Sequence, residues 1–400
     1  MRSFLDFADL IKPMTPGTFF ADYYGRNPCL VEGDASLYPT LFDWDDVTQL
    51  LEMSSIWTDE TLKVVLDEKT IDPGEYCRRA MGRDGVSVLR PRPKKISEWM
   101  DRGASVVFNS VEHIHPGLRS VTEAIGFATN CMVTANIYCS YAGHQAFRSH
   151  FDTTDVFVLQ ISGTKIWNIY ETRFPEPIDA DGFQFTSFDD AYHKRTKGKP
   201  KMRPTLVPGH FLYLPKGQYH DACATDGPSL HITFATTQAR GVDFLRTIIN
   251  SLVEVPEFRA ALPDFDDAQA HDTHVRKLAD RLHEILLQPD IAAQMRDDQR
   301  RRAFQDLARF GVPDRIGATV YRVRHVPANL SLGGDGYVLN AGGQAVQVPG
   351  EATMAVEWVI GLSAFIVEDL VDAVPELSED LRADLLDMLC KVGVLDPIER

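Results

Sequence analysis

Residues 149–170, SHFDTTDVFVLQISGTKIWNIY, carry the strongest structural signal in the chain. Two apolar runs, DVFVLQI and TKIWNIY, flank a Ser-Gly turn, which predicts two strands. Similar runs lie on either side of them: CMVTANIYCSY from 131, TLVPGHFLYLP from 205 and SLHITFATT from 229. Because turn residues rather than helices separate these runs, we predict a sandwich or barrel with its core at about 131–240.

A His-x-Asp pair, His150 and Asp152, stands beside the first of these strands. On a strand, residues i and i+2 point to the same face, so both side chains would project together into the barrel mouth. His220, in GHFLYLPKGQYHDA, follows a strand and a Pro-Lys-Gly turn. Two His and one carboxylate form the facial triad of non-haem Fe(II) oxygenases. With twelve His in the chain, one such pair alone can also arise by chance.

Lys165 opens the following strand, fifteen residues beyond His150. A lysine that points into a barrel is costly to bury without an anion, so this position indicates an anionic ligand. The alternative is an exposed lysine at a strand edge.

The run NIYCSYAGHQAFRSHFDTTDVFVLQISGTKIWNIY resembles the core of the JmjC-type, cupin-like oxygenases. It is most similar to the ribosomal oxygenase branch, which hydroxylates ribosomal proteins. YLPKGQYHDACATDGPSLHITFATTQ and GTFFADYYGRNPCLV resemble the same branch. The resemblance is close over 134–238 and looser elsewhere. Two features differ from that branch: a polar insert before Thr205 lengthens the spacing from His150 to His220, and the C-terminal tail is acidic.

The resemblance implies that His150, Asp152 and His220 bind Fe(II), with 2-oxoglutarate and dioxygen as cosubstrates. It implies that Lys165 pairs with a carboxylate of 2-oxoglutarate.

Three further residues are implied on the cosubstrate side: the hydroxyls of Tyr138 and Thr233, and Asn136. Each also fits a plainer role, as a barrel-filling aromatic, an ordinary strand residue and an amide paired with backbone. Candidate substrate contacts are Asp155, Arg148 and Tyr141, for which the alternative is a solvated loop residue.

These observations predict an α+β protein with a double-stranded β-helix (jelly-roll, cupin, JmjC) barrel and N-terminal helices in a catalytic domain, residues 1–240. Helical spacing at 4–11 and 44–53, and a strand at 105–108, fall in its first part. Three amphipathic segments from 242 to 310 predict a helical, candidate dimerisation domain at 241–312, whose apolar stripes pack on the barrel or on another subunit. Residues 313–400 predict a small winged-helix-like domain without a basic recognition helix.

The net charge of −16 argues against sequence-independent binding of nucleic acid. It suits a basic protein partner, and it suits plain solubility equally well. Neither a bilayer-spanning run of about 20 apolar residues nor a signal peptide is expected. The six scattered cysteines lack a CxxC pair and indicate thiols in a reducing cytoplasm.

The predicted function is therefore an Fe(II)- and 2-oxoglutarate-dependent oxygenase that hydroxylates a side chain of a protein or peptide, with His or Arg of a ribosomal protein as the first candidate. Alternatives are the same chemistry on a natural-product peptide precursor or an N-methyl group, and a non-catalytic cupin-like scaffold. The insert at 174–204, which contains KRTKGKPKMR, is expected to be either a solvated loop or a lid or substrate contact.

Overall fold

In a computed structural model of the chain, the strands between 131 and 240 form two antiparallel sheets that enclose an apolar core. The structure describes residues 5–81, 85–141, 147–225, 227–304, 319–323, 328–333, 336–341, 344–362 and 364–398. The segment at 139–149, which the sequence predicts as a loop at the barrel mouth, and the last of the predicted amphipathic segments, which ends at 310, lie partly outside these residues.

The first part of the chain alternates short helices and strands. The helices are α1 (Phe7–Leu10), α2 (Pro16–Asp22), α3 (Trp44–Glu52), α4 (Pro73–Tyr76), α5 (Pro93–Met100) and α6 (Pro116–Thr129). The strands are β1 (Cys29–Glu32), β2 (Leu62–Leu66), β3 (Lys69–Thr70), β4 (Cys77–Met81), β5 (Ser87–Pro91) and β6 (Ser105–Phe108). The predicted strand at 105–108 is confirmed. Asp43 starts α3 with a capping box shared with Asp46.

The barrel follows, with one helix in the insert. Its elements are β7 (Met132–Ser140), β8 (Asp155–Ser162), β9 (Lys165–Arg173), α7 (Asp190–Thr196), β10 (Pro200–Met202), β11 (Thr205–Leu206), β12 (His210–Leu214), β13 (Gln218–Ala224) and β14 (Ser229–Thr237). The larger sheet has the order β1-β12-β8-β14-β7-β6-β2-β3. The smaller has the order β10-β9-β11, with β13 also paired to β9.

Strand β8 is buried on both faces, which explains its continuous apolar run. Phe157, Leu159 and Ile161 pack with the N-terminal helices in the main core. Val156 and Val158 pack between the two sheets, against residues of β9 and β12. The predicted jelly-roll barrel with N-terminal helices is thus confirmed.

Two glycines permit the turns that position the site. Gly163, between β8 and β9, has φ +67°, and a Cβ there would lie 2.1 Å from Pro228 O. Gly217, between β12 and β13, has φ +81°, and a Cβ there would lie 2.1 Å from Phe174 O. Only glycine adopts such a backbone without strain and leaves this space, so both turns depend on it.

The predicted strand at 205–215 is two strands, β11 and β12, with Pro208 and Gly209 between them. Pro lacks a ladder donor and Gly209 has φ +91°, so the strand is interrupted there.

By its contacts the chain divides into two units: 1–129, 133–236 and 309–400 in one, and 130–132 with 237–308 in the other. The second unit contains α8 (Gly241–Ser251), α9 (Pro256–Arg259), α10 (Ala268–Leu286) and α11 (Ile291–Phe304). Ile248, Leu252 and Ile291 form its small apolar core. None of the helices in the described part of the chain has the length and apolarity needed to cross a membrane.

Residues beyond 318 form small sheets and helices around a core of their own. The elements are β15 (Val320–Val323), β16 (Ala328–Gly333), β17 (Gly336–Ala341), β18 (Gln344–Val348), α12 (Thr353–Ile360), β19 (Ala364–Ile366), α13 (Val367–Ala373), α14 (Glu379–Lys391) and β20 (Leu395–Ile398). The apolar run MAVEWVIGLSAFIVEDLV, residues 354–371, predicts a single helix, and this prediction is wrong. Helix α12 ends at Ile360 before Gly361, and strand β19 lies between it and α13. The three-domain division and the winged-helix assignment stay predictions.

Candidate functional site

Three side chains singled out in the sequence converge on one cavity of the barrel. His150 Nε2 lies 3.9 Å from Asp152 Oδ1, and His220 Nε2 lies 3.5 Å from Asp152 Oδ2. One ligand atom from each of the three lies within 4.8 Å of the other two. Bonds from such atoms are about 2.0–2.2 Å long in zinc sites, so one ion of similar size fits between them after a small contraction.

The backbone holds both imidazoles in the tautomer that metal binding requires. His150 Nδ1 lies 2.8 Å from Arg148 O, and His220 Nδ1 lies 2.9 Å from Gln218 O. A carbonyl oxygen only accepts, so each Nδ1 carries the hydrogen and each Nε2 keeps its lone pair. Burial, together with the neighbouring His150, lowers the pKa of His220 to about 4, which favours the neutral form that can ligate.

The prediction that His150 and Asp152 project from a strand is wrong in one respect. Strand β8 begins only at Asp155. His150 instead forms an isolated antiparallel bridge with His220. Each backbone N–H donates to the other residue's carbonyl, at 2.9 and 2.8 Å. A bridge of two hydrogen bonds therefore places the two imidazoles side by side.

A cavity of about 180 Å³ adjoins the three side chains. This is the liquid volume of about six water molecules, which suits a small organic acid. Its wall contains the triad and all four residues predicted on the cosubstrate side. The lining consists of Asn136, Tyr138, Phe147, His150, Asp152, Thr154, Val156, Lys165, Trp167, His220, Ala222, His231, Thr233 and Ala235.

Lys165 is the one lysine in this lining, and its side chain is only 4% exposed. Its Nζ lies 3.0 Å from Ser140 Oγ and 3.3 Å from His231 Nδ1. Burial lowers the pKa of Lys165 to about 7. Burial, with Lys165 nearby, also holds the pKa of His231 well below its usual value. No carboxylate of the described residues forms an ion pair with this lysine, so an anionic ligand would supply the missing charge.

Tyr138 also lines the cavity. Its hydroxyl is hydrogen-bonded with Thr233 and Asn136, and its ring stacks on His231 at 4.7 Å. Burial, with the charge of Asp152, raises the pKa of Tyr138 to about 12, so the phenol keeps its proton. Asn136 Oδ1 also accepts from Ser110 N at 3.1 Å, the backbone pairing that was the plainer alternative.

The three candidate substrate contacts lie outside the lining. Asp155 is buried and accepts hydrogen bonds from Tyr213 OH at 2.7 Å and Lys216 N at 3.1 Å, which does not support a substrate role. Tyr141 is half-buried, and burial raises its pKa to about 12.

Arg148 is exposed, lies two residues before His150 and contacts the insert. It forms an ion pair with Asp190 of the insert and lies 5.2 Å from the ring centre of Phe185. Phe185 stacks on His193 at 3.8 Å and meets the His150 ring edge-on at 6.0 Å. The insert is therefore packed against the site and is more than a solvated loop.

A polar cluster lies on the outer face of the smaller sheet, behind the triad. Asp221 follows His220 on β13 and therefore points to the opposite face. Its carboxylate accepts hydrogen bonds from Ser149 Oγ at 2.6 Å, Tyr170 OH at 2.6 Å and Asn168 Nδ2 at 2.7 Å. Although burial raises the pKa of Asp221, these bonds and Lys197 outweigh it and lower the pKa.

Sequence reasoning did not find His231, Ser140, Trp167 or this outer cluster. His231 had a usable signal, because it stands two residues before Thr233 on one strand and therefore shares its face. The outer cluster had none, since its members come from segments far apart in the sequence.

The fold and the site define a class of protein. Residues 114–244 match the family model described as JmjC domain. This part of the chain is therefore similar to JmjC domains, and its fold is a barrel of the cupin type.

The named relatives are distant, and each matches about three fifths of the chain. It is 28% identical over 243 residues to the bifunctional lysine-specific demethylase and histidyl-hydroxylase NO66 of Drosophila erecta, covering 60% of this chain and 35% of that protein. It is 27% identical over 261 residues to ribosomal oxygenase 2 of Bos taurus, covering 62% and 51%. The chain thus spans about a third to a half of the length of these relatives.

Among solved structures, the chain is similar to YcfD, a ribosomal oxygenase from Escherichia coli, in complex with cobalt and 2-oxoglutarate. The TM-score is 0.52 at 16% identity, over 96% of this chain and 98% of that one. At this identity the likeness concerns the fold.

Proposed function

We propose that this protein is an Fe(II)- and 2-oxoglutarate-dependent oxygenase that hydroxylates a side chain of a protein or peptide. The proposal rests on the convergence of two oriented imidazoles and one carboxylate on a single cavity. The same cavity contains a buried lysine, Lys165, that forms no ion pair with a carboxylate of the described residues. The relatives named above, and the cobalt and 2-oxoglutarate bound by YcfD, support the same chemistry.

In this proposal His150, Asp152 and His220 hold the iron through Nε2, a carboxylate oxygen and Nε2. Bound iron supplies the activation of dioxygen that couples oxidative decarboxylation of 2-oxoglutarate to hydroxylation of the substrate. The three protein ligands leave one side of the metal open for these partners. The Trp167 ring stacks on the His220 ring, with the ring centres 5.7 Å apart.

Lys165 would bind the far carboxylate of 2-oxoglutarate in its protonated form. Ser140 and His231 hold the ammonium in place. The Tyr138 and Thr233 hydroxyls, with the Asn136 amide, would orient the cosubstrate along the cavity. The 2-oxo acid end of the ligand would then face the metal, because Lys165, the one lysine of the lining, would bind the other carboxylate.

The substrate proposal is a basic protein or peptide, with His or Arg of a ribosomal protein as the first candidate. The net charge of −16 suits such a partner. Phe147, which is 39% exposed, and the Arg148–Phe185 pair border the open side of the triad and would contact the substrate. The same site would also serve a peptide natural-product precursor or an N-methyl group, which would be lost as formaldehyde.

We further propose a cytoplasmic homodimer built on the helical unit. On α8, Val242, Leu245 and Ile249 stay exposed at helical spacing, while Ile248 packs inward. An exposed apolar stripe of this kind favours an isologous contact. Light scattering that gives the monomer mass of 44.8 kDa would contradict the dimer.

The test of the function is a comparison of wild type with His150→Ala and Asp152→Ala. With Fe(II) and ascorbate, wild type should convert 2-oxoglutarate to succinate, and each variant should lose this activity and anaerobic Co(II) binding. Wild-type turnover no higher than that of the variants, with basic peptides present, would favour the scaffold alternative. Mass spectrometry of cellular proteins, with and without the enzyme, would then identify the residue that gains one oxygen.

A further inference from the structure

Two hydroxyls connect a lysine of the insert, Lys197, to an aspartate of the smaller sheet, Asp221. Lys197 Nζ lies 2.8 Å from Ser149 Oγ and 3.1 Å from Tyr170 OH. An ammonium only donates, so both hydroxyls accept from Lys197. Each hydroxyl then has its own hydrogen left to donate to Asp221 Oδ2, at 2.6 Å in both cases. The donor directions of the whole cluster are therefore fixed by the charges at its two ends.

This cluster, Lys197–Ser149–Tyr170–Asp221, touches both ligand-bearing segments. Ser149 immediately precedes His150, and Asp221 immediately follows His220. The backbones of the two segments are otherwise joined by three hydrogen bonds: the two of the isolated His150–His220 bridge, and one from Gly217 N to Asp152 O at 2.8 Å. Such a short pairing fixes register weakly, so a side-chain clamp beside it has a large effect on where the two imidazoles lie.

We propose that Lys197 is a positioning residue for the metal site, acting through Ser149, Tyr170 and Asp221 to hold His150 against His220. The inference rests on the proposed function, because it takes the triad as the metal site. It assigns a role to the insert: its lysine completes the clamp from outside the barrel. Lys197 also lies 4.2 Å from the Tyr170 ring centre, so its charge is held by the same tyrosine in two ways.

Removal of the lysine charge should loosen the clamp without unfolding the barrel. Lys197→Met keeps most of the aliphatic stem and removes the donor. The two hydroxyls then lose the charge that orders them, and Asp221 stays buried with less compensation. Mutation of a residue that is hydrogen-bonded to a metal ligand typically lowers metal affinity by about 10- to 100-fold. Because Lys197 is separated from the ligands by one more hydrogen bond, we expect Lys197→Met to lower metal affinity by only about three- to tenfold.

The experiment is an anaerobic Co(II) titration of the full chain, followed by the visible absorption bands of the bound ion. The matched control is Lys194→Met, an exposed lysine on α7 of the same insert. Lys197→Met should weaken Co(II) binding about three- to tenfold and alter the bands, while Lys194→Met should match wild type. Thermal unfolding of the metal-free proteins, measured in parallel, separates a positioning role from general destabilisation.

A double-mutant cycle with Asp221→Asn tests the route. If Lys197 acts through Asp221, the two losses of Co(II) affinity are less than additive. Additive losses of Co(II) affinity would overturn the assigned route through Asp221. Unchanged Co(II) affinity and absorption bands in Lys197→Met would overturn the whole inference. In that case, turnover of 2-oxoglutarate by wild type would leave the proposed function standing. Wild type that binds no Co(II) would overturn both together. If Asp221→Asn does not fold, the comparison of the two lysine variants still decides the inference.

Discussion

Lys165→Met should make the metal-free protein more stable and at the same time weaken the binding of 2-oxoglutarate. Burial lowers the pKa of Lys165 from 10.5 to about 7. A lysine with a lowered pKa in the folded state opposes folding wherever the unfolded chain would be protonated, and the effect grows as the pH falls from 10.5 to 7. At pH 7 the difference corresponds to at most about 4 kcal/mol, at about 1.4 kcal/mol per pKa unit.

The same lysine should make binding of 2-oxoglutarate depend on pH. The carboxylate pairs with the protonated amine, so binding above pH 7 must take up a proton. With half of the lysines protonated at pH 7 and about one in thirty at pH 8.5, apparent affinity should fall about 16-fold over that range. In Lys165→Met this dependence should vanish, and affinity at pH 7 should drop about 10- to 100-fold with the lost charged hydrogen bond.

Calorimetry of 2-oxoglutarate binding to the Co(II)-loaded protein, in two buffers of different ionisation enthalpy, measures this proton uptake directly. 2-Oxobutyrate, which lacks the far carboxylate, is the matched ligand control and should show no uptake from this lysine. Urea unfolding of the metal-free proteins gives the stability difference. The reasoning is refuted if wild type takes up no proton at pH 8.5, or if Lys165→Met binds 2-oxoglutarate as tightly as wild type.

Two further predictions concern stability. Gly217→Ala combines φ +81° with a Cβ 2.1 Å from Phe174 O, so it should lower the free energy of unfolding by more than Gly182→Ala, where φ is +83° and the space is open. Gly182→Ala should lower it only by the backbone strain, about 1–2 kcal/mol. Equal losses of the two variants in urea unfolding would contradict the role of the Gly217 turn. Asp43→Ala removes the cap that accepts from Asp45 N and Asp46 N and should lose about 1 kcal/mol in the same assay, with no change expected in Co(II) affinity.

The strands of the barrel were predictable from sequence because their burial is regular. In β7 alternate residues are buried, so Val133, Ala135 and Ile137 enter the core while Asn136 and Tyr138 face the cavity. The period of two is visible in the letters alone.

Other features depend on the neighbours that a segment meets in space. The sequence predicts Asp155 to be a substrate contact or a solvated loop residue, yet its carboxylate accepts from Tyr213 OH, which lies 58 residues further along the chain. The role of Lys197 likewise depends on Ser149, 48 residues away. Within the lysine-rich run KRTKGKPKMR, no sequence signal distinguishes Lys197, which contacts Ser149 and Tyr170, from the other lysines.

The long spacing between His150 and His220 follows from the same topology and does not disturb the site. The insert leaves β9 at Arg173, and Gln218 of β13 pairs back with Arg173. Phe174 N also donates to Gly217 O at 2.8 Å, so the chain returns to the point where it departed. Loop closure becomes only about 0.6 kcal/mol less favourable for each doubling of length, and the packed insert offsets this with its own contacts. An insertion at this point can therefore change the outer wall of the site, and supply Lys197, while the bridge between the two histidines stays in register.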